Sequence, residues 1–503
     1  MARRISYALR EKGKKVMKIK KYLSIYLAML VIYIVSRFYV FNALYFVADL
    51  FSERQLLDIL QLQNHLIESI YYLHDQPPLF NLMVGSVIKL FPGSYLTVLS
   101  LLYLVMSFAL YAMMFRIFLF FKVPPWGAFV LATLYILSPE ALLYERWISI
   151  LWLSVFLLVL SLFFLVQYVE KKEKVSLLFF FLAVTVLILT NMWFSLLYLL
   201  GVVIILIVMQ QRERKQIVLL AVIPFLLISG LYIKNNLLFG VTGSSSMSGM
   251  GMAKKAALAT LEDPWNTIMH LPEKQKEDEI KNGLQRLYNE GKIQSRVWLH
   301  PFDIQNLCQY AEKQKIPERW NDITVLAAPV KINGTCNMNF YGNLLLEKEI
   351  RKDAFHILWN HPWGYLQTVW LASLDYFRPT WDEGAVERNR KKLYRYIHLF
   401  ELGHIGGTFL GKYSLLFIFV IPLSFLLALA YVGRLLYRHR KKRATVSLFM
   451  LYSILYLMFF AILMEQDGLN RIRVITDPLL YMLVMAGMVS LVRLVFEKRD
   501  TYG

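Results

Sequence analysis

Long apolar runs separated by short polar segments dominate this chain of 503 residues. A helix that crosses a bilayer needs about 20 predominantly apolar residues, and several runs approach or reach that length. The pattern predicts an all-α polytopic membrane protein with about ten transmembrane helices. We place these spans at residues 22–40, 95–115, 124–138, 148–167, 175–189, 194–210, 217–233, 413–433, 445–463 and 476–492.

Basic residues set the orientation of these spans. With the amino terminus inside, the inner segments contain the runs KGKKVMKIKK, KKEK, RERK, RHRKKR and EKR, and the short outer loops contain few cations. Because Lys and Arg accumulate on the cytoplasmic side, we expect a multi-pass protein of the plasma (inner) membrane with both termini cytoplasmic. The same rule accounts for the net charge of +20 without a nucleic-acid partner. The basic leader feeds a full-length span, so no cleavable signal peptide is expected.

The stretch YLHDQPPLFNLMVGSVIKLF, residues 72–91, joins a polar turn to an apolar run that is too short to span. If residues 79–91 crossed the membrane, every later loop would reverse and RHRKKR would lie outside. We therefore predict a re-entrant or interfacial helix that does not cross. Pro77 and Pro78 favour a helix start after them. They also favour an extended, solvent-facing turn before them, over residues 74–76.

Four outer regions follow from this topology: 41–94, 138–147, 234–412 and 464–474. The third is large enough to hold a small folded subdomain. It is expected to open with a flexible loop, GVTGSSSMSGMGMAKK, and to continue with a charged helix, EKQKEDEIKNGLQRLYNEGK. It closes with DAFHILWNHPWGYLQTVWLASLDYF, an amphipathic pattern typical of a helix along the membrane surface. Cys308 and Cys336 both fall here, and two cysteines alone leave a disulfide open.

Carboxylates gather in the first two outer loops, at Asp49, Glu53, Asp58, Glu68, Asp75, Glu140 and Glu145. Asp49 lies in a mainly apolar context, FNALYFVADLF, where loss of hydration would raise its pKa and make it a better base. An ordinary acid at the headgroup level is the alternative. Glu145 and Arg146 are adjacent in LLYERW, where they cost desolvation energy unless they pair or bind something. A structural ion pair therefore stays open for them.

Outer cations are candidates for binding a lipid-linked phosphate or diphosphate at the headgroup level. They are Lys234, Lys254, Lys255, Arg471 and Arg473. Snorkelling of a span end is the alternative for Lys234 and Arg473. The Ser244–Ser246 cluster offers hydroxyl and N–H donors to an anion, with a mobile linker as its alternative. The histidines are scattered, so no metal site is predicted.

Several of these segments resemble the GT-C-fold glycosyltransferases, which use polyprenyl-phosphate sugars and include protein O-mannosyltransferases and lipid A aminoarabinose transferases. HDQPPLFNLMVGSVIKLF is similar to that family's Pro-Pro-Leu segment. SPEALLYERWISILWLSVFLLVLSLFFL is similar to its second outer loop and the span behind it, and LTNMWF and EQDGLNRIRVITDPLLYML look like later segments. The resemblance is diffuse over much of the chain. It implies a GT-C-like catalytic module at 1–233, an extracytoplasmic subdomain at 234–412 and C-terminal transmembrane helices at 413–503.

The resemblance implies inverting transfer of a sugar from a polyprenyl-phosphate donor, a co-substrate and not a cofactor, to a glycan, lipid or protein acceptor. Asp49 is nearest the place of the family's catalytic base, and Glu145 best matches its acid in the second outer loop, with Glu140 second. The first loop lacks DxD and ExD motifs, so a metal-independent mechanism is implied. Residues assigned to substrate binding are His74, Asp75, Gln76, Glu140, Arg146, Lys234, Lys254, Arg471 and Arg473.

Two other functions remain open. A transporter or flippase for a lipid-linked sugar would favour inverted repeats and charges within spans, whereas here most acids lie in outer loops. A non-catalytic scaffold on the same fold is the other alternative. It is suggested by Gln76, which stands where family members often carry a basic residue, and by Asp49, which lacks an adjacent acid.

Overall fold

The computed structural model describes residues 22–40, 43–46, 56–270, 273–293, 304–380, 386–401, 415–465 and 468–499. These residues are 78% helical and form no β-strand, apart from an isolated antiparallel bridge between Val330 and Cys336. The predicted all-α class is therefore confirmed for the described part of the chain.

The helices are numbered here in chain order. Those of the first half are α1 (Tyr22–Val40), α2 (Ile59–Asn64), α3 (Leu66–Tyr71), α4 (Pro78–Leu90), α5 (Tyr95–Phe120), α6 (Pro125–Ile136), α7 (Pro139–Glu145), α8 (Ile150–Lys171), α9 (Lys174–Ile188), α10 (Leu196–Met209) and α11 (Arg214–Phe239). Those of the second half are α12 (Ser248–Ala259), α13 (Pro264–His270), α14 (Glu273–Asn289), α15 (Ile304–Glu312), α16 (Thr324–Ala327), α17 (Tyr341–Asn360), α18 (Pro362–Tyr376), α19 (Glu387–Lys392), α20 (Tyr394–Glu401), α21 (Leu415–Tyr437), α22 (Lys441–Met464), α23 (Leu469–Arg473) and α24 (Asp477–Arg499).

Seven of the described helices, α1, α5, α8, α11, α21, α22 and α24, are long and apolar enough to cross a bilayer. The chain is thus a polytopic helical membrane protein. Three further predicted spans fall on α6, α9 and α10, which have 12, 15 and 14 residues, so the count of ten stays a prediction. Helices α6 and α7 meet at an angle of 57°, because Ser138 caps Ala141 N and Pro139 starts a new helix.

Side-chain contacts sort the loops into two groups at opposite ends of the spans. Segments rich in Lys and Arg meet at one end, here called the basic end, through the contacts Lys172–Glu213, Lys442–Glu170 and Arg493–Lys122. At the other end of α5, Arg146 donates a hydrogen bond to Ser100. At the other end of α22, Tyr365 donates to Leu463 O. We call this the outer end, following the charge-based orientation.

Helix α4 is the short apolar helix that follows the double proline. At its start, Leu79 N–H donates to Leu189 O, 2.9 Å away, at the end of α9, which itself starts at the basic end. After α4 the chain turns directly into α5, whose start lies at the outer end. Both ends of α4 therefore lie at the outer end. Gly85 permits close packing on α3, because a Cβ there would lie 2.4 Å from Leu66 Cδ1.

The large outer segment has a hydrophobic cluster of its own. Side chains of α12, α14 and α17 form it, including Ala256, Leu284, Ile350 and Ala354. The predicted charged helix is present as α14. The predicted flexible loop at 240–255 is wrong from Ser248 onward, where α12 begins. Small residues suit this helix because α17 packs tightly on it, and a Cβ on Gly249 would lie 2.8 Å from Arg351 Cβ.

A disulfide ties this segment together. Cys308, on α15, bonds to Cys336, and their Cα atoms are 5.9 Å apart, within the usual range for a bridge. The two residues are separated by 28 positions. The pairing that the sequence left open is therefore formed in this structure.

Candidate functional site

All four outer regions meet at the outer end of the spans. The first region contributes Tyr45, whose backbone N–H and C=O pair with the Asn389 side chain at 3.0 and 2.8 Å. The second contributes Tyr144, whose hydroxyl donates to Thr380 O at 2.9 Å. The last contributes Asn470, which donates to Pro379 O at 2.8 Å. Pro379, Thr380 and Asn389 of the large segment therefore contact the other three regions.

Glu145 lies at the base of this junction and pairs with Arg37 of the first span. Arg37 Nη2 is 2.7 Å from Glu145 Oε2, and Arg37 Nε is 2.9 Å from Oε1. Tyr33 also donates to Oε2, at 3.3 Å. The side chains of Arg37 and Glu145 are 6% and 1% exposed. The Glu145 carboxylate is therefore neutralised inside the protein. The only sign of this ion pair in the sequence is that Arg37 is a cation within an apolar span.

Glu145 takes Arg37 as its close ion-pair partner, and Arg146 makes further contacts. The Arg146 guanidinium turns toward the first region, where Nη2 donates to Leu44 O at 3.4 Å. It also lies 5.1 Å from the centre of the Phe46 ring, a cation–π distance. Arg146 therefore fixes the described residues that precede Asp49 in the chain. Asp49 itself, the predicted base, lies outside the described residues, as does Glu53.

Glu140 belongs to a second buried polar group. Its Oε2 accepts from Thr380 Oγ1 at 2.7 Å, and its Oε1 accepts from Tyr135 OH at 3.2 Å. The Asp477 carboxyl interacts with it as well. Arg473 joins the group through Asp477, 3.1 Å from its Nε, and donates to Tyr376 O at 2.6 Å. Arg473 is 3% exposed, so its charge is engaged within the fold in this conformation.

The turn at residues 74–76 is buried, which makes the prediction of a solvent-facing turn wrong. The physical reason is a covering segment far along the chain. Asn339 Oδ1 accepts from the N–H groups of His74 and Asp75 at 2.7 and 3.3 Å. Ser246 Oγ lies 2.9 Å from His74 Nδ1, and Asn339 O lies 3.0 Å from Nε2. Burial lowers the pKa of His74 to about 3, so His74 is a neutral structural link between the first and third outer regions.

Asp75 has the features of a reactive carboxyl. Burial raises its pKa to about 7, although the charge of Lys331 opposes the shift. Among the described residues, its Oδ1 has no hydrogen-bond partner, and neither has Oε1 of Gln76. Buried polar atoms are nearly always hydrogen-bonded, and a buried carboxyl with a perturbed pKa is a candidate functional group. Asp75 and Gln76, which are neighbours in the chain, therefore each have one buried oxygen without a hydrogen-bond partner among the described residues.

The remaining predicted cations are dispersed. Lys234 Nζ donates to Tyr71 O and Leu73 O, at 3.0 and 2.8 Å, and so braces the chain before His74. Lys254 is half-buried on α12, and Arg471 is exposed on α23. The contacts described place His74–Gln76 in one group and Glu140–Arg146 in another.

Sequence reasoning missed a set of cations at the junction. Lys392 Nζ lies 3.4 Å from the centre of the Tyr45 ring and donates to Ala43 O at 3.0 Å. The Arg388 guanidinium lies 4.9 Å from the same ring. A signal for them was present in the run ERNRKKLYR, which holds five cations in nine residues. These cations and Arg146 all contact residues 43–46.

Comparison with protein-family models, curated proteins and solved structures finds no match for the chain. The family resemblance therefore rests on the motifs alone. Within the described residues, no group of three or more His, Cys, Asp or Glu side chains lies where it could hold a metal ion.

Proposed function

We propose that this protein is an integral membrane glycosyltransferase of the GT-C type. It transfers a sugar, a hexose or a pentose, from a polyprenyl-phosphate donor to an acceptor hydroxyl at the outer face of the membrane. The reaction inverts the anomeric centre and uses an aspartate of the first outer loop as base. The active site is extracytoplasmic, and the acceptor is a glycan, a lipid or a protein.

The single observation that supports this most is the Asp75 carboxyl. It combines a pKa raised to about 7 with an oxygen that has no hydrogen-bond partner among the described residues. A general base works best when its pKa is near the working pH. The turn that holds Asp75 leads directly into a short apolar helix at the outer end of the spans, the level at which a lipid-linked sugar phosphate would lie.

The first loop thus offers two candidate bases. The resemblance favours Asp49, and the geometry of the described residues favours Asp75. In either case the carboxylate accepts the proton of the acceptor hydroxyl while that oxygen bonds to the anomeric carbon. The bond from the anomeric carbon to the phosphate oxygen breaks, and polyprenyl phosphate leaves with the bonding electrons. If Asp49 is the base, Arg146, Arg388 and Lys392, which contact residues 43–46, would stabilise the charge developing on the phosphate. If Asp75 is the base, Lys331, whose charge acts on the Asp75 carboxyl, would take that role.

Access to Asp75 requires movement. The residue is 3% exposed, and Ser245 and Ser246 hold its turn by hydrogen bonds to Asp75 O and His74. An acceptor hydroxyl that reached Asp75 Oδ1 would not have to replace another hydrogen-bond donor among the described residues. The proposal therefore includes opening of the 241–246 segment when the acceptor binds.

The test is sugar transfer by the purified protein in lipid, with polyprenyl-phosphate hexoses and pentoses as donors and release of polyprenyl phosphate as the readout. We expect release by the unaltered protein, and a loss of about 10²- to 10⁴-fold in the variant that lacks the base. Asp49→Asn and Asp75→Asn are compared with Asp322→Asn, an exposed acid of the outer segment.

The pattern of losses distinguishes the candidates. A loss confined to Asp75→Asn identifies Asp75 as the base, and a loss confined to Asp49→Asn identifies Asp49. Full activity in both variants would overturn the proposed mechanism. Tight donor binding without release from any donor would favour the transporter or the scaffold over the enzyme.

A further inference from the structure

A cavity at the basic end is lined by cations from three stretches of the chain. Its volume is about 200 Å³, room for several water molecules at roughly 30 Å³ each. It lies where α5 and α21 end, where α22 begins and beside the last turns of α24. The basic side chains that line it are Lys122, Arg434, Arg438, Arg440, Arg443 and Arg493.

The charge of this cavity is not balanced by the described protein around it. No acidic side chain is among the described residues that line it. Two helices, α5 and α21, end at the cavity, and each helix carboxyl end is equivalent to about −0.5 charge. The amino end of α22 also lies there and contributes about +0.5, so the three helix ends together offset only about half of one of the six positive charges. The helix ends therefore balance only a small part of the positive charge that lines the cavity.

The cations also interact with one another, since Arg443 feels the charges of Arg440 and Arg493. Arg493 Nη2 donates to Lys122 O at 2.6 Å, which fixes one guanidinium to the turn after α5. Arg434 and Arg443 are half-buried beside the buried Tyr431 ring. Like charges held together in a partly buried concavity repel one another. A bound anion with several acceptor oxygens would remove that repulsion.

We propose that this cavity binds a phosphate-bearing anion at the basic face of the membrane, separately from the proposed transfer reaction. Arginine guanidinium groups bind phosphate oxygens through paired N–H donors. Basic pockets between transmembrane helices at this level suit the headgroups of anionic phospholipids. The cavity opens where such headgroups lie, and a soluble phosphate of the cytoplasm would present the same chemistry.

The experiment is native mass spectrometry and thermal unfolding of the full-length protein in non-ionic detergent. The probes are phosphatidylglycerol, cardiolipin, phosphatidylcholine, inorganic phosphate and pyrophosphate. The test variant is Arg434→Gln with Arg443→Gln. The matched control is Arg214→Gln with Lys215→Gln, which removes two exposed cations from the basic end outside the cavity.

We expect an anionic phospholipid to bind and stabilise the unaltered protein and the control, and to bind the test variant about 30-fold more weakly. If pyrophosphate or phosphate binds instead, with the same weakening in the test variant alone, the result would support the site and assign it to a soluble ligand. Equal weakening in both variants would overturn the proposal, because the effect would then be general surface charge. Failure of every anion to bind the unaltered protein would overturn it as well.

A second variant guards against loss of folding. Arg438→Gln with Arg440→Gln removes two exposed cations that line the same cavity. If Arg434→Gln with Arg443→Gln does not fold, this variant is expected to show the same selective weakening. Binding that is unchanged in it would contradict the proposal.

Discussion

Arg37 and Glu145 form a two-pronged ion pair across 108 positions of the chain, with Nη2–Oε2 and Nε–Oε1 distances of 2.7 and 2.9 Å. The pair joins the first span to the end of the second outer loop. It gives Glu145 a structural partner that is independent of any substrate. Glu145 is therefore placed to position Arg146, the next residue in the chain. Through Arg146 it also positions Leu44 and Phe46.

Removal of one partner of this pair is expected to destabilise the protein strongly. Glu145→Gln leaves the buried Arg37 charge uncompensated, which costs about 3–5 kcal/mol in comparable buried pairs. The double variant Arg37→Leu with Glu145→Leu should recover most of that loss, because it removes both charges. Thermal unfolding in detergent of the two variants and of Glu68→Gln, an exposed acid, measures this. A double variant that is no more stable than Glu145→Gln would contradict the ion-pair account.

The pKa of Asp75 predicts a dependence of stability on pH. Burial raises the pKa from 3.8 to about 7, so between these values the folded protein binds a proton that the unfolded chain releases. The free energy of unfolding should therefore fall as pH rises from about 4 to about 7, and this contribution is lost above the folded pKa. Asp75→Asn should remove that part of the slope and be the more stable protein at pH 8. An identical slope in both proteins would show that Asp75 does not titrate in this range.

If Asp75 is the base, activity should show the opposite dependence on pH. The base must be ionised to accept a proton, so the rate of polyprenyl-phosphate release should rise with pH, with a midpoint near 7. Asp75→Asn should show a low rate without that midpoint. A profile measured over pH 5–9 at limiting donor and acceptor, which reports the groups of the free enzyme, checks this. The same midpoint in Asp75→Asn would assign the titration to another group.

Asn339 is expected to couple the first outer region to the third. Its side chain accepts from two N–H groups of the buried turn and donates to Tyr72 O at 3.1 Å. Asn339→Ala should destabilise the protein by about 2–4 kcal/mol, since it leaves these groups without their partner. Asn321→Ala, at an exposed position of the same segment, should change stability by less than about 0.5 kcal/mol. Chemical denaturation followed by circular dichroism compares the two, and equal effects would contradict the role of Asn339.

Seven of the ten predicted spans coincide with described helices long and apolar enough to cross a bilayer, and the clustering of basic loops was also predictable, because both depend on local composition. The burial of Asp75 could not, because its covering residue Asn339 is 264 positions away and no periodicity marks that contact. The partner of Glu145 was missed for the same reason. Arg388 and Lys392 are a different case. Their basic run is visible in the sequence, and only their contact with Tyr45 depends on the fold.

The disulfide between Cys308 and Cys336 is expected to stabilise the outer segment. Closing a loop of 28 residues removes unfolded-state entropy equivalent to about 3–4 kcal/mol. Cys308→Ser with Cys336→Ser should lower the stability of the outer segment by about that amount and leave the spans helical. Limited proteolysis of the segment and circular dichroism of the whole protein separate these effects. Unchanged proteolysis would contradict a stabilising bridge.

The tryptophans of α17 and α18 are expected to lie in the membrane interface. Trp359, Trp363 and Trp370 are 86%, 70% and 58% exposed, and Tyr365 of the same helix bonds to the last turn of a span. Tryptophan is enriched at this level of the bilayer because its ring is amphipathic.

Both native cysteines are in the disulfide, so a new cysteine is a unique labelling site. A spin label at Trp363→Cys or Trp370→Cys should be more accessible to oxygen than to a water-soluble nickel chelate, and a label at Lys281→Cys of the charged α14 should show the reverse. Equal accessibility to the nickel chelate at all three positions would place α18 in water and exclude the interfacial arrangement.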